Sequence, residues 1–171
     1  MVYIVLHNVR SVHNVGSIFR TADAAGVSTV YLTGYTPTPI DRFGRSRRDF
    51  AKVSLGAERA VPWEYRKNAR ILLKEMKAQG VYCVAVEQAD DAINYRHIRQ
   101  RKQTAFLLGN EVTGLPEELR TQCDVVAEIP MRGTMVRQAH HPRRTGSGKE
   151  SLNVTVAAGI VLFGTKRYRY A

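Results

Sequence analysis

The chain has 171 residues, 44% of them hydrophobic, which is enough for one domain with a true core and too few for a second full one. Lysine and arginine outnumber aspartate and glutamate 26 to 15, and the net charge of +11 favours a polyanionic partner: RNA, DNA or an acidic membrane surface. The apolar run at residues 2–6 is too short for a signal-peptide core, and no segment approaches ~18 uncharged apolar residues. Cys83 and Cys123 have neither metal-ligand spacing nor a CxxC relation. These features lead us to expect a cytoplasmic protein with no membrane association and with reduced thiols.

In chain order, residues 2–6 read as a strand, and a helix from Asn14 follows a polar stretch. Val15, Ile18, Phe19 and Ala22 make the core face of that helix, while Gly16, Arg20 and Asp23 fall on the other. Gly16, one turn before Arg20, removes a side chain where a ligand or a backbone can approach closely. On spacing alone the plainer reading, Asn14 as an N-cap and Arg20 as a solvated cation, is favoured. Residues 30–32 form a second strand. Residues 35–52 carry Pro37, Pro39 and Gly44 together with Arg42, Arg45, Arg47, Arg48 and Lys52, and read as a long exposed loop and a candidate nucleic-acid contact. Ala69, Leu72, Leu73 and Met76 predict an amphipathic helix over 64–79, closed by Gly80. A strand at 81–86, a short helix at 91–99 and a strand at 104–108 follow. Such alternation implies an α/β domain with a mostly parallel sheet, whose ligands bind beyond the carboxyl ends of the strands.

The last third begins with "FLLGNEVTGLPEEL", a strand, a glycine-bracketed turn and a helix starting near Pro116. The stretch "VVAEIPM" is another strand. In "SLNVTVAAGIVLF", Ser151 reads as the N-cap of a helix apolar on every side, which is therefore expected to be buried. Neither "GNEVTG" nor "GSGKES" is a Walker loop or a GxGxxG turn. His140 and His141 have no carboxylate or thiol beside them, so no metal is expected. Glu111, between two glycines, reads either as a carboxylate held out for use or as decoration of the turn. Ser151 and Asn153 read either as a cap and its neighbour or as part of an anion-binding helix start.

Taken in order, "NVGSIFRTADAAGV", "LLGNEVTGLPEEL" through "IPM", and "SLNVTVAAGIVLF" resemble the three motifs of the SpoU/TrmH family of RNA ribose 2'-O-methyltransferases, within the SPOUT superfamily. The resemblance covers nearly the whole chain. It implies a single domain over 1–171 with helices on both faces of the sheet and a C-terminal deep trefoil knot, a rare exception to unknotted chains. It implies S-adenosylmethionine as cofactor, bound in a bent conformation between the knot loops, and no metal. By motif, the cofactor contacts are Leu108, Gly109, Glu111, Gly114, Ile129, Met131, Ser151, Leu152 and Asn153. Asn14 and Arg20 match the first motif's catalytic pair, with Glu111, Ser151 and Asn153 shaping the site, and the face bared at Gly16 is then kept clear for RNA. A guanidinium with a pKa above ~12 is a poor base, so Arg20 is expected to bind the phosphate beside the target ribose and to stabilise the developing alkoxide. The family usually forms homodimers in which Arg20 of one subunit reaches the cofactor pocket of the other.

One departure from the family is a basic insertion at about 133–149, which includes Arg137, Arg143, Arg144 and Lys149 and no acid. It is expected to be a tolerated surface insertion rather than a basic arm that grips RNA. No separate RNA-binding domain is expected, so substrate choice falls to 42–52, 96–102 and the tail at 166–169, with tRNA favoured over rRNA. The alternatives are a knotted RNA-binding protein without catalysis and a base methyltransferase. A DNA-binding module lacks any helix-turn-helix or zinc signature.

Overall fold

The computed structural model describes residues 1–131 and 152–165. Its strands are β1 (Val2–His7), β2 (Thr29–Thr33), β3 (Trp63–Arg66), β4 (Tyr82–Val86), β5 (Ile93–Asn94), β6 (Thr104–Leu108) and β7 (Val125–Glu128). They form one sheet in the order β3-β2-β1-β6-β4-β7-β5, with every pairing parallel. The helices are α1 (Val12–Ala25), α2 (Arg48–Ser54), α3 (Ala57–Ala60), α4 (Ala69–Ala78), α5 (Glu117–Arg120) and α6 (Val154–Gly164).

Successive strand side chains point to opposite faces, so each apolar strand supplies two core layers. On one face Ile4, Leu6, Val30, Leu32, Val84, Phe106 and Leu108 pack against α1, α6 and Phe50 of α2. On the other, Val5, Cys83, Ala85, Ala105 and Leu107 meet Leu72, Leu73 and Met76 of α4 and Leu119 of α5. With helices on both faces, β6 is buried at all five positions, as a central parallel strand should be. The parallel α/β sheet expected from the sequence is the one observed.

Several local expectations are corrected. The N-cap of α1 is Ser11, whose hydroxyl accepts from the Asn14 amide, and Asn14 is the third residue of the helix. Gly16 is buried rather than open. A Cβ there would lie 3.1 Å from Val53 Cβ and 3.3 Å from Ser54 N, so the bare position lets α2 pack closely on α1. Phe19 and Phe50 lock that contact edge to face, with centroids 5.3 Å apart. Residues 35–52 are not all loop, because Arg48 and Lys52 stand on α2. The helix expected over 64–79 begins only at Ala69, capped by the Asn68 side chain, since residues 63–66 pair with β2 as the edge strand. Residues 91–99 form β5 and a 3-10 turn, Tyr95–His97, instead of a short helix.

Asn153, not Ser151, caps α6, its side chain accepting from Thr155 N. That helix is not wholly buried either: Val156 and Phe163 are 47% and 58% exposed. The expected knot, the insertion at 133–149, Ser151, the His140-His141 pair and the basic tail at 166–169 lie outside the described residues.

Candidate active site

The loop that follows β6 is built around Asn110. Its Oδ1 accepts from the amides of Val112 (2.8 Å) and Thr113 (2.9 Å), and its Nδ2 donates to the Asn8 carbonyl (2.9 Å) and the Tyr35 hydroxyl (3.0 Å). Asn110 and Gly114 also exchange backbone hydrogen bonds, closing the turn. The two glycines are explained by that closure. A Cβ on Gly109 would sit 2.5 Å from the Gly114 carbonyl carbon, and Gly114, at φ +66°, has the Glu87 carboxylate where its own Cβ would go. Glu87 in turn accepts from Leu115 N at 2.8 Å.

Closing the turn this way aims Glu111 at the start of α1. Its Oε1 accepts from Asn14 Nδ2 at 2.7 Å and Ser11 N at 3.4 Å, and its Oε2 accepts from Arg10 N at 3.1 Å. In a capping box the third helical residue bonds back to the N-cap amide, but Asn14 is too short to do so. Glu111, some hundred residues away in sequence, takes that role. Burial pushes its carboxyl up, but the donors on Asn14 and on the Arg10, Glu111 and Ser11 amides outweigh this and hold it below its ordinary value. An ionised carboxylate only accepts, which fixes the Asn14 amide with Nδ2 toward Glu111. Asn14 Oδ1 then faces Asn153, whose Nδ2 donates at 3.5 Å while its Oδ1 accepts from Thr155. A polar line thus runs from Glu111 through Asn14 to Asn153.

A cavity lies beyond the carboxyl ends of β4, β6 and β7. Of the residues expected to touch a cofactor, Leu108, Gly109, Glu111, Gly114, Ile129 and Leu152 line it together. Met131 and Asn153 are not among its lining residues, and Ser151 lies outside the described residues. Val86, Glu87, Gln88, Val154 and Ala157 also line it, and sequence reasoning missed them. The signal available was position: residues 86–88 end the strand beside β6, where ligands of parallel sheets bind.

Arg20 stands apart from this line. It is exposed and makes no hydrogen bond or ion pair with the described residues. Six residues beyond Asn14 on α1, it sits about 120° around the helix and about 9 Å along it. Of the other arginines singled out, Arg45 pairs with Asp41 at 2.9 Å and Arg47 with Asp49 at 2.7 Å. Arg42, Arg48 and Lys52 form no ion pair among the described residues. The cysteines are free, and burial pushes Cys83 up to about 11 and Cys123 to about 12, so neither is a thiolate nucleophile. Among the described residues no group of three or more histidine, cysteine or acidic side chains is placed to hold a metal, and no helix is long and apolar enough to cross a membrane.

The chain, with its parallel sheet and the glycine-closed loop at the sheet's carboxyl edge, belongs to the SpoU rRNA methylase family, whose model matches residues 1–136. It is 31% identical over 166 residues to the 23S rRNA (guanosine-2'-O-)-methyltransferase RlmB of Neisseria meningitidis serogroup B, covering 97% of this chain and 58% of that one. It is 29% identical over 164 residues to the tRNA (guanosine(18)-2'-O)-methyltransferase of Escherichia coli, covering 96% and 62%. The chain therefore spans less than two thirds of either relative. Among solved structures it is similar to an AdoMet-bound rRNA methyltransferase from Sinorhizobium meliloti, with 33% identity and a TM-score of 0.78 over 95% of this chain and 54% of that one. It is also similar to a TrmH/SpoU tRNA modifying enzyme from A. aeolicus, with 28% identity and a TM-score of 0.76 over 95% and 72%.

Proposed function

We propose that this chain transfers a methyl group from S-adenosylmethionine to a ribose 2'-hydroxyl of RNA. One observation carries the reading: Glu111 is shared between the wall of the cavity and the amide line through Asn14. The residues present suit the cofactor, with Val86, Leu108, Ile129, Leu152 and Val154 as apolar walls for a purine and the 109–114 backbone as its polar edge. Bound there, the cofactor supplies an electrophilic methyl group on sulfur. The protein's part is alignment and charge. Asn14, held at both ends of its amide, orients the ribose. Arg20 binds the adjoining phosphate and stabilises the alkoxide as it forms, the hydroxyl proton passing to a phosphate oxygen.

The offset of Arg20 from Asn14 supports a homodimer in which each Arg20 serves the partner's cavity. So does the apolar surface at Val156 and Phe163 on α6, a helix that packs on α1. We further propose a cytoplasmic protein that is one domain over 1–171, including the basic insertion, with a C-terminal knot. tRNA is the proposed substrate, the tRNA-modifying relatives from Escherichia coli and A. aeolicus supporting it. Identity runs the other way, 31% and 33% against 29% and 28%, and makes rRNA the second reading.

The test is incubation with labelled S-adenosylmethionine and unmodified bulk tRNA or rRNA, followed by mass spectrometry of the nucleosides. A 2'-O-methyl nucleoside is the expected product. A base-methylated nucleoside, or a chain that binds the cofactor and methylates neither RNA, would overturn the reading.

A further inference from the structure

We propose that the groove between the end of β2 and the turn at 41–45 holds one unpaired base of the RNA, stacked on Phe43 and Tyr65. The proposal rests on the RNA-methyltransferase reading and adds to it the place of a second nucleotide. Tyr35, Ile40, Arg42, Phe43 and Tyr65 line this groove. Tyr35, Phe43 and Tyr65 are 59%, 66% and 44% exposed, a concentration of aromatic surface that a chain folding alone would cover.

Phe43 is held out by a braced turn. Asp41 Oδ1 accepts from Phe43 N at 2.8 Å and Arg45 N at 2.9 Å, Asp41 Oδ2 pairs with Arg45 Nε at 2.9 Å, and Asp41 N donates to Arg45 O at 2.8 Å. None of these bonds uses the phenyl ring, so the ring is not what holds the turn. The guanidinium carbons of Arg42 and Arg45 lie 4.7 and 5.0 Å from its centroid. Both guanidinium groups lie over the ring, so a base stacks on Phe43 by taking the place of the Arg42 guanidinium, which has no ion pair among the described residues, and such stacking accepts any base.

Charge selects RNA over a protein partner. Residues 41–52 hold five basic and two acidic side chains, and both acids are already paired, with Arg45 and Arg47. Arg42, Arg48 and Lys52 remain for phosphates. A paired base offers no free face, so the occupant is single-stranded. The groove is also tied to the reaction loop. The Tyr65 hydroxyl donates to the Gly34 carbonyl at 2.8 Å, and the Tyr35 hydroxyl accepts from Asn110, the neighbour of Glu111. A base stacked here fixes where the next ribose lies relative to Asn14.

The experiment titrates the full chain into a short single-stranded RNA carrying 2-aminopurine, whose fluorescence falls on stacking. The wild type should bind and quench. Phe43→Ala should weaken binding about tenfold and leave the saturated probe bright, and Phe43→Trp should restore both. Arg48→Gln should weaken binding and flatten its salt dependence but keep the quench at saturation. Circular dichroism and thermal unfolding should be unchanged in all three. If Phe43→Ala binds and quenches as the wild type does, the subsite is overturned, while the methyltransferase reading stands on its nucleoside product. A wild-type chain that binds neither this probe nor bulk tRNA or rRNA overturns both.

Discussion

At the scale of single residues, Glu111 joins three things through two oxygens: the amides that begin α1, the carboxamide of Asn14 and the wall of the cavity. Its carboxyl lies below an ordinary value near 4.5 in the folded chain. A lowered folded pKa adds stability that is fully present above the unfolded value and is lost as pH falls through the folded one. Glu111→Gln places an NH2 group among three donors. It should cost about 1–2 kcal/mol in urea unfolding at neutral pH and make the acid-side loss of stability shallower. A variant as stable as the wild type, with the same acid limb, would show that the carboxylate does not hold the helix start. Arg20 is the opposite case, a side chain with no role inside the described fold. Arg20→Ala should leave thermal unfolding and S-adenosylmethionine affinity unchanged and lower methyl transfer roughly 10²–10³-fold, as loss of a group that stabilises developing charge does. A comparable loss of cofactor affinity would move Arg20 from the reaction to the cofactor pocket.

At the scale of elements, the contact of α1 with α2 depends on the absence of a side chain at residue 16. Gly16→Val would push branched carbons into Val53 and the Ser54 backbone, at a cost of about 1–3 kcal/mol measurable as a lowered unfolding midpoint. An unchanged midpoint would mean that α2 moves away freely. Strand β6 was legible in the sequence because five apolar residues run into Gly109. The core face of α4 was legible because its apolar spacing has the helical period. Strand β3 was not, since four residues with an exposed middle carry little pattern and pair only through the edge of β2. The α1 cap was misplaced because Ser11 and Asn14 are both good capping residues, and the decision was made by Glu111, far off in sequence. The motifs put Asn14, Glu111 and Asn153 on one list. The bonds joining them, and the work of Asn110 and Glu87 in closing the loop, are tertiary and leave no local signal.

At the scale of the whole molecule, α6 is where the proposed dimer can be tested. Val154, Ala158, Val161 and Leu162 are buried against the sheet and α1, yet Val156 and Phe163 face outward. An exposed apolar face beside the helix that carries Arg20 is what a composite site between two copies requires. If each cavity is completed by the partner's Arg20, two differently broken chains should repair one another. Arg20→Ala keeps an intact cavity and lacks the guanidinium. Ile129→Arg keeps the guanidinium and fills the cavity with a charged side chain. In a mixed dimer one of the two composite sites holds both intact parts. Co-refolding the two inactive variants in equal amounts should therefore restore methyl transfer to about a quarter of the wild-type rate, half the dimers being mixed and each having one working site. A Phe163→Asp chain should sediment as a monomer and lose methyl transfer while keeping its sheet and its cofactor affinity. Activity in that monomer, or mixtures that stay as inactive as their parts, would place Arg20 and the cavity it serves within a single chain.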